Sequence, residues 1–212
     1  MYVVTKYRHV AIEGFRGSPE PAEIRAVERE LGTSLPQAYR AFLNVANGGR
    51  LHYSINVATP AGPEELMFSC LFYAGKNRYG GYTDGDETLL GELRGHRRSF
   101  GIPRCVLPFA GDGSGCYVYL DLRTAGAGKV RAYIHGLPKW AGGSERDELV
   151  DLAPDFDSFV DLMFLGERAR EECLQLLAKA LQEGNHYAIE ITRAFLDAAV
   201  PGWRAEHPDL AG

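Results

Sequence analysis

The stretch 21–49, PAEIRAVERELGTSLPQAYRAFLNVANGG, constrains this chain more than any other. Ile24, Val27 and Leu31 recur at helical spacing and share one face, and Gly32 supplies the left-handed residue that stops a helix. Tyr39, Phe42, Leu43 and Ala46 form a second apolar stripe, so the spacing predicts two amphipathic helices joined by a turn. Ser18 is the expected cap of the first helix, with Pro19 and Pro21 in its first turn and Glu20 and Glu23 at the positive end of its dipole. Ser34 is placed to cap the second, Pro36 falls in its first turn, and Asn47-Gly48-Gly49 closes it.

Beyond Gly49 the period changes. Residues 51–58 alternate as a strand does, while 66–73, LMFSCLFY, is a continuous apolar run suited to a strand buried on both faces. Residues 74–87 are dense in Gly, Asp and Tyr and read as a long exposed loop. A short helix is expected over 88–98, carrying Leu89, Leu90 and Leu93 with Arg94, Arg97 and Arg98 near its end. Residues 105–110 and 116–122 flank Gly-Asp-Gly-Ser-Gly and make a hairpin, with Val118 and Leu120 on one face and Tyr117, Tyr119 and Asp121 on the other. A further strand spans 130–135. Pro154 and Asp155 then start a helix whose Phe156, Phe159, Val160 and Met163 share a face and which Gly166 ends. Residues 167–184 and 185–200 are two more helices, separated by Gly184 and capped by Asn185; Trp203 follows in a polar tail. Residues 2–12 are β-branched and aromatic, in the manner of an edge strand or arm.

Ile24, Glu28, Leu31, Gly32, Leu35, Pro36, Tyr39, Phe42, Leu43, Asn47, Gly48 and Gly49 stand in an order that resembles the opening of the SMI1/KNR4, or SUKH, superfamily. LPFAGDGSG with its following strand, and the Phe-x-x-Phe helix near 156, are similar to two later blocks of that family. The resemblance covers about 21–166. It implies an α+β fold in which the N-terminal helix pair and later helices pack on a mostly antiparallel or mixed β-sheet. The division expected from it is a SUKH domain at 1–166 and a C-terminal helical extension at 167–212. The function it implies is a bacterial immunity protein that binds a cognate toxin domain and occludes it, without catalysis. The alternative is a scaffold or regulatory interaction module.

The residues themselves narrow the choice. A formal net charge of −5 argues against nucleic-acid binding and suits a basic protein partner, such as a nuclease toxin. The start of the chain is charged and no apolar run reaches membrane-spanning length, so a cytoplasmic protein without a membrane span is expected. Cys70, Cys105, Cys116 and Cys173 form no C-x-x-C pair and fit reduced thiols, although Cys105 and Cys116 lie across a hairpin and leave a disulfide open. The glycine-rich turn is neither a P-loop nor a nucleophile elbow, and the six histidines have no metal-ligand spacing. Neither a catalytic residue, a metal nor a cofactor is therefore expected. Recognition chemistry, built on aromatic anchors and complementary charge, points to Tyr79, Tyr82, Asp84, Asp86 and Glu87 in the long loop. Tyr117, Tyr119 and Asp121 are the second candidate set, with packing of the two tyrosines beneath a helix as the competing reading. Glu28, at the edge of the first apolar stripe, is expected to tie its helix to neighbouring backbone or an arginine.

Overall fold

In a computed structural model, which describes residues 4–59, 62–77, 86–113, 115–123, 128–134 and 148–212, the chain is α+β and built on one large antiparallel sheet. Its strands are β1 (Val4–Tyr7), β2 (Val10–Glu13), β3 (Gly49–Arg50), β6 (Cys70–Leu71), β7 (Val106–Gly111), β8 (Tyr117–Asp121), β9 (Lys129–Ile134) and β10 (Glu148–Ala153), lying side by side in that order. A separate two-stranded ribbon, β4 (Ser54–Thr59) and β5 (Gly62–Met67), interrupts the sequence between β3 and β6. The apolar run 66–73 is thus not one strand. Its first residues finish the ribbon, Phe68 and Ser69 carry the chain across, and Cys70 and Leu71 enter the main sheet. Pro108 sits inside β7 at a register shift against β8, where a missing donor is tolerated.

The paired helices are α1 (Pro21–Leu31) and α2 (Gln37–Val45). Their starts differ from the expected ones. Glu20, not Ser18, precedes α1; its N–H donates to the Glu23 carboxylate at 2.9 Å, while the Ser18 hydroxyl instead donates to the Asn44 carbonyl at 2.7 Å. Pro36 itself occupies the cap position of α2, and Ser34 makes no cap. Glu28 does what its position predicts: the Leu35 N–H donates to its carboxylate at 2.9 Å and Arg40 pairs with the same oxygen, tying the turn between the helices to the end of α1. Tyr39 and Phe42 meet Phe156 at ring centroid distances of 5.0 Å each.

Helix α3 (Leu89–Phe100) starts at Thr88, whose hydroxyl accepts the Gly91 N–H at 2.9 Å. β10 was hidden in the sequence because its residues adjoin the helix α4 (Phe156–Asp161), capped by Asp155. Gly166 does not end α4; it precedes α5 (Glu167–Glu183), which turns at Gly184 and Asn185 into α6 (His186–Ala199). Two short helices follow, α7 (Trp203–Glu206) and α8 (Pro208–Ala211). Trp203 is not in a polar tail: it is 1 % exposed, and its indole N–H donates to Asp197 at 2.8 Å. α6 packs on β1 and β2, and Cys173, Leu177, Phe195, Leu196 and Trp203 belong to the same hydrophobic cluster as Ile12, Leu43 and Phe159. The four cysteines are free thiols, so Cys105 and Cys116 do not pair.

Candidate recognition cleft at the Asn-Gly-Gly turn

Asn47-Gly48-Gly49 does more than close a helix. α2 ends at Val45, and Asn47 is then 2 % exposed with a fully used amide. Its side-chain oxygen accepts the Ala74 N–H at 2.7 Å, and its side-chain nitrogen donates to the Ala74 carbonyl at 2.9 Å. A buried amide must find such partners, and here they fix the point where β6 gives way to the long loop. Gly49 brings β3 against β2 so closely that only hydrogen fits on its Cα.

The stem of that loop is held from several sides. The Arg16 guanidinium lies 3.5 Å from the centroid of the Tyr73 ring and donates to the Lys76 carbonyl at 3.0 Å. The Tyr73 N–H donates to the Glu87 carbonyl at 2.9 Å, and the Leu89 N–H returns a bond to the Tyr73 carbonyl at 2.8 Å. Asp86 joins both ends of the loop: one oxygen accepts the Thr88 N–H at 2.9 Å, and the other accepts the Asn77 amide at 2.9 Å. Glu87 sits at φ 61, a left-handed conformation that non-glycine residues adopt only under constraint. Arg16, Asn47, Gly49, Arg50, Tyr73 and Glu87 line a cavity of about 240 Å³ at this stem.

Of the first candidate set, Asp86 and Glu87 stand at the stem and rim of this cleft. Tyr79, Tyr82 and Asp84 lie outside the described residues. The second set is placed differently from the expected recognition face, because α3 lies across that side of the sheet. Tyr119 is 1 % exposed; its hydroxyl is 2.9 Å from His96 Nδ1, and Tyr117 stacks edge-on to the same imidazole at 4.2 Å. Tyr119 is thus packed beneath α3, and Tyr117, half-buried, lies against the same helix. Asp121 is also turned inward to its own chain: its carboxylate accepts from Arg123 at 2.6 Å and Arg131 at 3.4 Å. Arg16, Arg50 and Tyr73 were missed by sequence reasoning. The signal available was a buried polar Asn beside two glycines, which demands partners from elsewhere in the chain.

The hydrogen bond from Arg123, above all, holds the Asp121 carboxyl below the usual carboxylate range. A depressed folded pKa adds stability above the unfolded value, and that contribution is lost as pH falls through the folded one. Asp121→Asn is therefore expected to cost about 1–3 kcal/mol near neutrality, with the gap to the parent closing below about pH 4. Urea midpoints across the acid range check this; a gap of constant size would refute it.

Two of the thiols offer little to covalent chemistry. Burial, and then the charge of Glu87, push the Cys70 thiol up to about 12, and burial does the same to Cys173; both are protonated thiols and poor nucleophiles. Among the described residues, no group of three His, Cys, Asp or Glu side chains is placed to hold a metal ion, and no helix is long and apolar enough to cross a membrane.

The family described as SMI1 / KNR4 family (SUKH-1) matches residues 18–162, from just ahead of α1 to the end of α4. No curated protein matches the chain.

Proposed function

Since the chain belongs to the SMI1/KNR4 family (SUKH-1), we propose that it is an immunity protein: it binds a cognate toxin domain in the cytoplasm of a bacterium and occludes it without catalysis. The family match across the helix pair and the sheet carries this reading. The net charge of −5 supports a basic, nuclease-type partner, since complementary charge speeds encounter and rejects wrong partners. The clamped stem supports recognition there, because Tyr73, Asp86 and Glu87 are already held by their own hydrogen bonds and have less ordering entropy to lose on contact. Tyr79, Tyr82 and Asp84, together with Asp86 and Glu87, are the residues assigned to that contact.

Affinity capture with the tagged full chain, followed by co-expression of the captured protein, tests the reading. The expected result is one basic partner whose toxicity this chain suppresses, with Tyr79→Ala and Asp84→Ala together weakening binding about thirtyfold or more. A captured partner whose toxicity is unchanged by the chain would overturn it. A scaffold role remains a second reading because Leu176 and Tyr187, at 55 % and 54 %, are the most exposed large apolar side chains in the described residues, and both lie on the C-terminal helices. Leu176→Glu with Tyr187→Ala abolishes capture under that reading and leaves it intact under the first.

A further inference from the structure

A second cavity, of about 310 Å³, opens where the end of α1 faces α3, and it shares no lining residue with the Asn-Gly-Gly cleft. Arg29, Arg94, Arg97 and Arg104 line it, with Glu30 as the one acidic residue among the described residues and Ala26 and Leu90 as its apolar part. In a chain whose formal net charge is −5, this concave spot reverses the sign.

Glu30 is already committed. One of its oxygens accepts from Arg94 at 3.0 Å and the other from Arg97 at 2.7 Å. The hydrogen bond from Arg94, foremost, holds its carboxyl below the usual range. Arg97 also donates to the Arg104 carbonyl at 2.7 Å and the Glu30 carbonyl at 3.1 Å, while its buried Nε has no hydrogen-bond partner among the described residues. Among the described residues Arg104 reaches only carbonyl oxygens, those of Glu30 and Arg29, each at 3.4 Å. Arg29 forms no ion pair among the described residues. Among the described residues, then, four cations and one carboxylate line the hollow, set on two helices and the short link after α3, and the carboxylate is taken up by Arg94 and Arg97.

We infer that this cavity is a binding site for a small polyanion of the phosphate class, an inorganic polyphosphate or the phosphate chain of a nucleotide. Guanidinium groups match phosphate oxygens with paired N–H donors, and several of them set around one hollow neutralise a multiply charged chain better than a single carboxylate does. The volume is that of a small-molecule site. The hollow has no aromatic wall among the described residues, so it is the charged chain, not a base, that it reads.

Titration calorimetry on the full chain, at constant ionic strength, tests this with inorganic phosphate, pyrophosphate, tripolyphosphate, ATP and a polyglutamate peptide as probes. The expected result is saturable one-to-one binding that tightens from phosphate to tripolyphosphate, with ATP no tighter than tripolyphosphate. Arg29→Gln is expected to weaken tripolyphosphate binding about tenfold while leaving thermal unfolding unchanged, since the Arg29 side chain makes no hydrogen bond or ion pair among the described residues. Arg104→Gln is expected to weaken it by a similar factor, whereas Arg204→Gln, far along the chain on α7, leaves it unaltered. Absence of saturable heat with every phosphate probe, equal weakening by Arg204→Gln, or a polyglutamate peptide that competes as well as tripolyphosphate would each overturn the assignment.

Discussion

Trp203→Ala is expected to lower the unfolding free energy by about 3–5 kcal/mol, the cost of emptying a large buried aromatic site. The indole is 1 % exposed, is hydrogen-bonded through its N–H to Asp197 and lies under the Arg204 guanidinium at 4.8 Å. It belongs to the same hydrophobic cluster as Phe195 and Leu196 of α6, which are fully buried. The urea midpoint, with the slope of the transition held as a check on cooperativity, reads the loss. A change below about 1 kcal/mol would mean that the C-terminal helices dock weakly and that the shared core is nominal. The same packing sets how the scaffold reading has to be tested. Removing residues 167–212 strips the cover from β1 and β2, so it confounds loss of a partner with loss of the fold; the paired surface substitutions on α5 and α6 avoid this.

Gly49→Ala is expected to cost about 3 kcal/mol or more. The residue sits at φ +121, and a methyl group there would lie 2.6 Å from the Glu13 carbonyl oxygen and 2.8 Å from a methyl of Ile12. The backbone oxygen belongs to β2 and cannot swing aside, so dihedral strain of about 1–3 kcal/mol adds to an overpacking term of similar size. Gly113→Ala is the matched control. It also has positive φ, at +78, but meets nothing within 4 Å among the described residues, and is expected to lose only about 1 kcal/mol. Parallel denaturation of the two variants separates strain from close approach. Equal losses would show that the dihedral alone decides, and that β3 can move away from β2.

The parts legible in the sequence were those governed by short-range rules. The stripes at Val27 and Leu31 and at Tyr39, Phe42 and Leu43, the turn at Gly184-Asn185 and the hairpin around residues 111–115 each follow from a period or a turn chemistry confined to a few neighbours. The run 66–73 did not reveal its break, because Phe68 is apolar whether it extends a strand or crosses between two sheets. Trp203 was unreadable for a different reason: a helix of one turn after Pro201-Gly202 offers no window long enough for periodicity. The candidate sites were harder still. Tyr119 faces α3 rather than a partner because Leu90 and Leu93 on α3, itself correctly foreseen, need a surface to bury against, and sequence alone does not say which. The arginine cavity joins side chains from α1, α3 and the link beyond it, and only the packing of α1 on α3 makes them neighbours.

The docking of α6 on β1 and β2 has a consequence for how the chain is made. Helix α6 emerges long after β1 and β2, so the face of that hairpin which it covers stays open while the middle of the sheet is being synthesised. Strands from β6 onward can each pair with the one before as they appear, since their order in space follows their order in time. The N-terminal edge cannot be sealed that way. A chain whose translation stops before α6 thus keeps an open face on β1 and β2, which marks it as unfinished to any chaperone or protease that samples it.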